Sequence, residues 1–398
     1  MSSQKKYSIA VVTGSRAEYG LLRPVLQKLR ESSLELKLVV TGSHLSAAYG
    51  STVSEIEADG MPIAARIDIL KFQDAVNPVL ETVVYTIREF GRWFEQERPD
   101  CVLVLGDRYE IFAVAQAAAM CGIPIAHISG GDITLGASDE YYRHCITKMA
   151  SLHFPSCKDS RDRLLRMGEQ PDRVFLVGGL GDENIRKMPK MTAEELTKDL
   201  GFDLTDLFGL VTFHPETGFG HADPLVQLQA LLDAMDEIHE KTGLRYLITK
   251  SNADQGGSSI NEIWDRWAES RSEWALAVTS LGVKRYLSAM ECAAVVIGNS
   301  SSGVVETPTF GVPTVNIGNR QKGRILCNNV ISVPAEREAI LEAISRALSP
   351  EFVVRARSTV SPYYGKDPSG DMVAILEQWI GDPRLKEPKA FYDAKETL

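Results

Sequence analysis

The stretch YSIAVVTGSRAEYG, residues 7–20, joins an apolar strand to the start of a helix and decides the fold class of the chain. Its first half, Tyr7–Thr13, is a short apolar, β-branched run that predicts a strand buried on both faces. The next segment, LLRPVLQKLR, has helical periodicity, and Leu34–Thr41 predicts a second strand. Buried strands that alternate with helical crossovers are typical of a parallel sheet covered by helices.

This alternation continues along the chain and then starts again. Cys101–Asp107 and Ile123–Ser129 each predict a strand before a helix, and VFLVGG closes the first array near Gly179. A second array runs through LFGLVTF, LRYLITK, WALAVTS and AAVVIGN. We therefore predict an α/β protein with two Rossmann-like, doubly wound domains. Their expected bounds are 1–178 and 179–360, followed by a C-terminal helix and tail, 361–398, that can pack back on the N-terminal domain.

Length, composition and charge narrow the class of protein. A chain of 398 residues exceeds what one hydrophobic core usually supports, and 44% hydrophobic with 24% charged residues is typical of a soluble globular protein. The net charge of −10 argues against a nucleic-acid partner. No apolar run is long enough to span a membrane, and six scattered cysteines without a CxxC pair predict reduced thiols and no metal site. We expect a cytoplasmic protein.

Ligands of open parallel sheets bind beyond the carboxyl ends of the strands, so polar residues at those ends are candidates for a site. Arg16 follows the first strand and can donate two hydrogen bonds to a phosphate, although a solvated arginine fits equally well. Asp107 and Arg108 directly follow an apolar strand; the carboxylate either faces the ligand or caps the next helix. Asp139 and Arg143 lie four residues apart on one helix face, where a surface ion pair is the alternative.

The second array carries the strongest local signal, VVIGNSSSGVVET at residues 295–307. A strand that ends in glycine, three serines and a following helix together favour an anion-binding cradle, against the alternative of a serine-rich helix cap. Glu306, one turn into that helix, is placed to accept two hydrogen bonds from a ribose diol. His214 directly follows a strand. A histidine at this position either binds phosphate or is an ordinary turn residue. Arg320 lies in a basic loop that either covers a nucleotide or is solvated.

Taken in order, these segments resemble the UDP-N-acetylglucosamine 2-epimerase family, and more narrowly its hydrolysing branch in sialic-acid biosynthesis. The matching segments span residues 7–362 and include TGSRAEYG, VLGDRYEIFAVA, GGDITLGASDEYYRHCITKM, FHPET, SNADQGG, IGNSSSGVVE and NIGNRQKGR. The resemblance implies a glycosyltransferase-B-like fold with the active site in a cleft between the two domains. It also implies a UDP-sugar substrate, no cofactor, no metal, and a homo-oligomer, a dimer or tetramer.

The resemblance further implies a role for each candidate residue. Ser300 and Ser301 would bind phosphate, Glu306 the ribose, and Arg320 and His214 the diphosphate. Arg16 would reach the phosphates from the first domain. The remaining substrate-binding candidates are Arg108, Asn252 and Leu281. The catalytic candidates are Asp107, Asp139, Glu183 and His214.

The implied reaction is anti elimination of UDP to an enzyme-bound 2-acetamidoglucal, followed by water addition that releases N-acetylmannosamine. Many relatives carry Glu or His where this chain has Ser129, so the proton chemistry would fall on Asp107, Asp132 or a water. The alternatives are hydrolysing epimerisation of a 6-deoxy-2,4-diacetamido UDP-sugar, non-hydrolysing epimerisation, and sugar transfer from UDP to an acceptor. HISGGD with GNSSSG, in place of HIEGGE with GNSSC, favours UDP-N-acetylglucosamine over the diacetamido sugar.

Overall fold

A computed structural model describes residues 7–46, 51–72, 74–133, 139–214, 223–250 and 257–393. The chain divides into two compact units, Met1–Asn184 with Tyr363–Leu398, and Ile185–Pro362. The division thus falls after residue 184, where the sequence pattern suggested residue 178. The C-terminal segment belongs to the first unit.

The first unit contains a parallel sheet of six strands among the described residues, in the order β3-β2-β1-β4-β5-β6. This is the Rossmann order, with the direction of strand addition reversing between β1 and β4. The strands are β1 (Ser8–Thr13), β2 (Glu35–Thr41), β3 (Ile63–Ile67), β4 (Cys101–Leu105), β5 (Ile125–Ile128) and β6 (Leu152–Phe154). The helices are α1 (Arg16–Glu31), α2 (Val53–Ala58), α3 (Pro78–Glu97), α4 (Tyr109–Met120), α5 (Asp139–Met149) and α6 (Lys158–Arg166), and α7 (Leu180–Lys187) begins in this unit.

The second unit repeats this topology. Its described strands form a parallel six-stranded sheet in the order β12-β11-β10-β7-β8-β9, which reverses direction between β7 and β10. The strands are β7 (Phe208–Thr212), β8 (Arg245–Thr249), β9 (Ala275–Val278), β10 (Val295–Gly298), β11 (Thr314–Ile317) and β12 (Val330–Val333). The helices are α8 (Ala193–Leu200), α9 (Pro224–Thr242), α10 (Gly257–Glu269), α11 (Gly282–Cys292), α12 (Ser302–Val305), α13 (Thr307–Phe310), α14 (Arg337–Ala347) and α15 (Pro350–Arg357). The predicted pair of doubly wound α/β domains is confirmed.

The last helix, α16 (Pro368–Ile380), lies on the first unit and packs against α1. Its buried face, which includes Met372 and Leu376, joins the same apolar core as Ile9 of β1 and Leu26 of α1. Fully burying one such side chain stabilises the fold by about 1.5–3 kcal/mol. No described helix is both long and apolar enough to cross a membrane.

Helix α1 contains a proline, Pro24, which has no amide hydrogen to donate to the carbonyl of Gly20. The side-chain amide of Asn184 donates to that carbonyl instead, at 2.8 Å. Asn184 is the residue at which the chain leaves the first unit. The Gly20 carbonyl that Pro24 cannot bond thus holds Asn184, the last residue of this segment of the first unit, against α1.

The segment VFLVGG differs from its prediction as a strand. Val174 makes a single parallel bridge with His153, and residues 175–179 form no strand. Beyond it, the backbone amide of Gly179 donates to the carbonyl of Tyr363 at 2.8 Å. This segment therefore pairs with the returning C-terminal chain and does not extend the sheet.

Candidate functional site

The candidate residues gather at the two places where a sheet reverses its order. In the first unit, Arg16 follows β1 and Asp107 follows β4. In the second unit, His214 follows β7 and Asn299 follows β10. Ligands of doubly wound sheets bind outside the carboxyl ends of the strands at such switch points. Both units therefore place their polar candidates where this topology binds ligands.

Asp107 is paired with a buried arginine. Its Oδ2 atom accepts from an Nη of Arg143 on α5, whose side chain is only 3% exposed. The other Nη of Arg143 donates to the carbonyl of Asp132 at 2.8 Å and to Glu140 at 3.1 Å. The N-cap of α4 is Arg108, so Asp107 does not cap that helix. Asp107 is instead a carboxylate held at the sheet edge by a guanidinium.

Asp139 starts α5 beside this pair. Burial, followed by repulsion from the charge of Asp107, raises the pKa of Asp139 above its ordinary value. Asp107 thus has a cation beside it, while the environment of Asp139 favours the protonated form of that acid. Two acids whose environments differ in this way can divide the roles of general base and general acid.

The segment after β5 has a structural part and a strained part. His127 is fully buried, its Nε2 lies 2.8 Å from the carbonyl of Gly106, and burial lowers its pKa to about 3. It is therefore a neutral core histidine. Ser129 has φ +63°, a left-handed backbone conformation that residues other than glycine rarely adopt. Asp132 accepts through Oδ1 from Ser156 at 2.9 Å and Ser160 at 2.6 Å, which ties one of its carboxyl oxygens into the fold.

Two arginines of the first unit are accessible to a ligand. Arg16 is 69% exposed and pairs with Glu55 at 2.8 Å. Arg108 is 46% exposed, and its Nε donates to Oε1 of Glu110 at 2.5 Å. An exposed ion pair of this kind contributes little stability, so Arg16 can exchange its partner for a phosphate at small cost.

Glu183 has a different environment from the one expected of a catalytic acid. It is fully buried, and its two carboxyl oxygens accept from the backbone amide of Ser369 at 2.8 Å and from its hydroxyl at 2.6 Å. Ser369 is in the first turn of α16, whose amides lack partners within the helix. Glu183 thus fastens the C-terminal helix, and its expected catalytic role stays a prediction.

The cradle of the second unit begins at Gly298, the last residue of β10. Its φ is +134°, and a β-carbon there would lie 1.9 Å from the carbonyl oxygen of Thr212, so only glycine fits. Asn299 then joins the two strand ends. Its side chain accepts from the amide of His214 at 2.7 Å and donates to the carbonyl of His214 at 2.8 Å.

Asn299 also organises the basic loop that follows β11. Its carbonyl accepts from Nη1 of Arg320 at 3.2 Å and from Nε2 of Gln321 at 2.9 Å. The structure therefore brings together His214, the serines and Arg320 around one asparagine. Sequence reasoning missed Asn299, although a polar residue between a strand-ending glycine and a serine was the available signal.

The three serines are ordered by a half-buried tyrosine that sequence reasoning also missed. The hydroxyl of Ser302 donates to Ser300 at 3.0 Å and lies 2.5 Å from the hydroxyl of Tyr286 on α11. Tyr286 and Ser300, with Thr212 and Asn316, line a small cavity at this edge. Helix α12 is a single turn, so hydroxyls and backbone amides form this cradle more than a helix dipole does.

Glu306 follows α12 with a carboxyl group that lacks a compensating charge. Burial alone raises its pKa to about 7, and no described cation lies beside it to oppose that shift. A carboxyl group without a charged partner can accept hydrogen bonds from the hydroxyls of a diol. Leu281, by contrast, is a buried core residue at the start of α11. Asn252 lies outside the described residues.

The chain is similar to characterised proteins along almost its whole length. Residues 27–377 match the UDP-N-acetylglucosamine 2-epimerase family. The sequence is 37% identical to polysialic acid biosynthesis protein P7 of Escherichia coli, over 98% of both chains. It is also 37% identical to GDP/UDP-N,N'-diacetylbacillosamine 2-epimerase (hydrolyzing) of Campylobacter jejuni, over 87% of this chain and 89% of that one.

Solved structures share the fold at low sequence identity. A UDP-GlcNAc 2-epimerase from Neisseria meningitidis, bound to UDP-GlcNAc, superposes with a TM-score of 0.75 at 19% identity, over 93% of this chain and 100% of that one. A glycosyltransferase from Rickettsia africae has a TM-score of 0.60 at 11% identity, over 95% and 100%. The expected glycosyltransferase-B-like fold is thereby confirmed.

Proposed function

Because the chain belongs to the UDP-N-acetylglucosamine 2-epimerase family, we propose that it is the hydrolysing form of that enzyme. The proposed reaction converts UDP-N-acetylglucosamine and water to N-acetylmannosamine and UDP. The observation that carries the proposal is the division of chemistry at the two switch points. One has paired acids and arginines, and the other has hydroxyls, amides and a buried carboxyl.

The acids of the first unit suit the proton transfers. In the first step a base removes the C2 proton, the C1–oxygen bond breaks, and UDP leaves with that electron pair. In the second step the oxygen of water bonds to C1 and gives up one proton to solvent, and C2 receives a proton on the face opposite to the one it lost. We assign the first transfer to Asp107, whose carboxyl group lies beside Arg143 at the end of β4. Asp139, biased towards its protonated form, supplies the second proton.

The second unit suits the nucleotide. Ser300, Ser301 and the backbone amides around them donate to the diphosphate, and His214 and Arg320 stabilise the charge that develops as it leaves. Glu306 accepts from the ribose hydroxyls. These assignments draw on the resemblance to the family and are supported by the grouping of three of these residues around Asn299.

A second sugar has specific support. The relatives from Campylobacter jejuni and Legionella pneumophila, 37% and 34% identical, are named as hydrolysing 2-epimerases of diacetylbacillosamine nucleotides. The alternative proposal is therefore hydrolysis of UDP-N,N'-diacetylbacillosamine with inversion at C2. In either case we propose a cytoplasmic homo-oligomer, a dimer or tetramer, which light scattering on the purified protein tests.

One experiment tests the function and separates the sugars. The protein is incubated in heavy water with UDP-N-acetylglucosamine or UDP-N,N'-diacetylbacillosamine, and the products are identified by NMR. The proposal predicts UDP and free N-acetylmannosamine with deuterium at C2 from the first substrate. UDP-N-acetylmannosamine would indicate the non-hydrolysing reaction, and a sugar that keeps its C2 proton and configuration would indicate simple hydrolysis. Turnover of the second substrate alone would establish the alternative.

A further inference from the structure

Two acidic residues from different helices meet around Gly14, below the switch point of the first unit. Glu18 lies in the first turn of α1 and Glu110 in the first turn of α4. Their exposed fractions are 7% and 2%. A β-carbon on Gly14 would lie 3.3 Å from Cγ of Glu110 and 3.3 Å from Oε2 of Glu18. The two carboxyl groups therefore flank one residue of the β1–α1 turn.

Each carboxyl group uses one oxygen and leaves the other unpaired. Oε2 of Glu18 accepts from the amides of Gly14 at 2.6 Å and Ser15 at 3.0 Å. Oε1 of Glu110 accepts from Nε of Arg108 at 2.5 Å. Oε1 of Glu18 and Oε2 of Glu110 are buried without a hydrogen-bond partner among the described residues. A buried carboxyl oxygen without a donor is costly, so this arrangement calls for a physical explanation.

The charge on this cluster balances when the acids hold one proton between them. Burial, opposed by the Gly14 amide and reinforced by the charge of Glu110, raises the pKa of Glu18 to about 7. Glu18 holds the turn through the amides, and Glu110 holds the guanidinium.

The bond to Glu110 leaves one edge of Arg108 available. Glu110 contacts Nε, and neither Nη group of Arg108 has a hydrogen-bond partner among the described residues. The guanidinium is a rigid fork whose free edge can bind two oxygens of a phosphate at once. The arginine side chain is long and flexible. When a buried partner fixes its orientation, it binds a phosphate more tightly, because less conformational entropy is lost on binding.

We propose that Glu110 is a positioning residue that directs the free edge of Arg108 at the diphosphate of the bound nucleotide. This inference rests on the proposed function, in which the substrate carries a diphosphate. Glu110 acts through Arg108 and does not itself contact the substrate. Its removal should therefore matter only while Arg108 is present.

A double-mutant cycle on UDP binding, measured by calorimetry, tests this coupling. Arg108→Gln should weaken UDP binding about tenfold, the scale of a hydrogen bond to a charged group. Glu110→Gln keeps the shape of the side chain and should weaken it about fivefold, since an amide holds the guanidinium less firmly than a carboxylate. Adding Glu110→Gln to Arg108→Gln should cause no further loss. Glu57→Gln, which removes the acid of an exposed pair with Arg66, is the matched control and should bind UDP normally.

The inference would be overturned if the effects of the two substitutions on UDP binding were additive, because Glu110 would then act independently of Arg108. Arg108→Lys provides a second test that does not depend on the folding of a Glu110 variant. It keeps the charge but loses the Nε contact, so it should bind UDP about as weakly as Arg108→Gln. Affinity equal to that of the unmodified protein would mean that charge alone matters. Because calorimetry needs no turnover, a protein that shows the coupling but releases no N-acetylmannosamine would refute the proposed function alone.

Discussion

The two units have the same strand order but carry opposite chemistry at their switch points. In the first unit the edge has carboxylates and guanidinium groups, represented by Asp107 with Arg143 and Glu110 with Arg108. In the second unit the edge has hydroxyls and an amide, represented by Ser300 and Asn299. The shared topology therefore determines where polar groups gather, and the residues after each strand determine what they do there.

Substitutions that change the turnover rate without changing UDP affinity, or the reverse, test this division most directly. Asp107→Asn keeps the shape and hydrogen bonding of the side chain but removes the proposed base. We expect kcat to fall about 100-fold or more, the low end for general acid–base catalysis, while UDP affinity changes little. Steady-state kinetics and calorimetry on the same preparation measure both quantities. Asp203→Asn, in an exposed pair with Arg245, is the matched control. A folded Asp107→Asn enzyme with nearly normal kcat would place the base elsewhere.

The reverse pattern is expected in the second unit. Glu306→Ala should weaken UDP binding by about 1–3 kcal/mol, or roughly 5- to 150-fold, through loss of the acceptor for the ribose hydroxyls. Calorimetry measures this affinity, and Glu342→Ala, an exposed position on α14, serves as the control. Unchanged affinity in the Glu306 variant would refute the ribose assignment.

The pH dependence of binding sharpens the same assignment. Burial raises the pKa of Glu306 to about 7, so the free protein is partly protonated there near neutral pH. A carboxylate that accepts from a diol binds best when ionised, so affinity should rise with pH and level off above about 7, by at most about tenfold per pH unit. Binding should also release a proton, which calorimetry in buffers of different ionisation enthalpy detects. Glu306→Gln should lose both this pH dependence and the proton release. If the variant kept them, another group would be responsible.

A buried carboxyl group of the first unit should affect stability instead of binding. Burial raises the pKa of Glu18 from 4.5 to about 7. Its contribution to the free energy of unfolding is therefore fully present below about pH 4.5 and is lost as pH rises to about 7. Thermal melts across this pH range should show a smaller fall in melting temperature for Glu18→Gln than for the unmodified protein. Part of the fall should remain in the variant, because Glu306 titrates in the same pH range. Identical pH profiles would show that Glu18 is ionised in the fold.

The smallest expected effect concerns the strained residue after β5. Ser129 has φ +63°, which glycine adopts without steric strain. Ser129→Gly should raise the free energy of unfolding by about 0.5 kcal/mol, because relief of strain exceeds the entropy lost by a more flexible unfolded chain. Denaturant titration measures this difference. Ser32→Gly, at an ordinary φ of −81°, should instead lower stability.

Much of the fold could be predicted from sequence because buried parallel strands leave a strong local signal. The apolar runs of β1, β4, β7 and β10 fixed the strand ends, and the polar residues after them became the candidates. The short strands β3, β6 and β12 did not stand out, since three to five residues at or near a sheet edge carry little periodicity.

Partnerships between distant residues could not be predicted in the same way. Glu183 and Ser369 are separated by 186 positions, and nothing local to Glu183 indicates that its partner is an amide of α16. Asn299 and Tyr286 act through strand ends and hydroxyls that come together only in the folded unit. Residue type and spacing thus located the switch points but did not give the hydrogen bonds that order them.

The attachment of Asn184 to the irregular turn of α1 has a consequence for how the molecule comes apart. Glu183 is bonded to α16 and Asn184 to the Gly20 carbonyl that Pro24 leaves vacant, so two successive residues are pinned where the chain leaves the first unit. Fraying that begins in the second unit and proceeds backwards along the chain would meet these bonds before it reached the first core. We therefore expect hydrogen exchange to show a step in protection at this point, with each unit opening as a separate cooperative block.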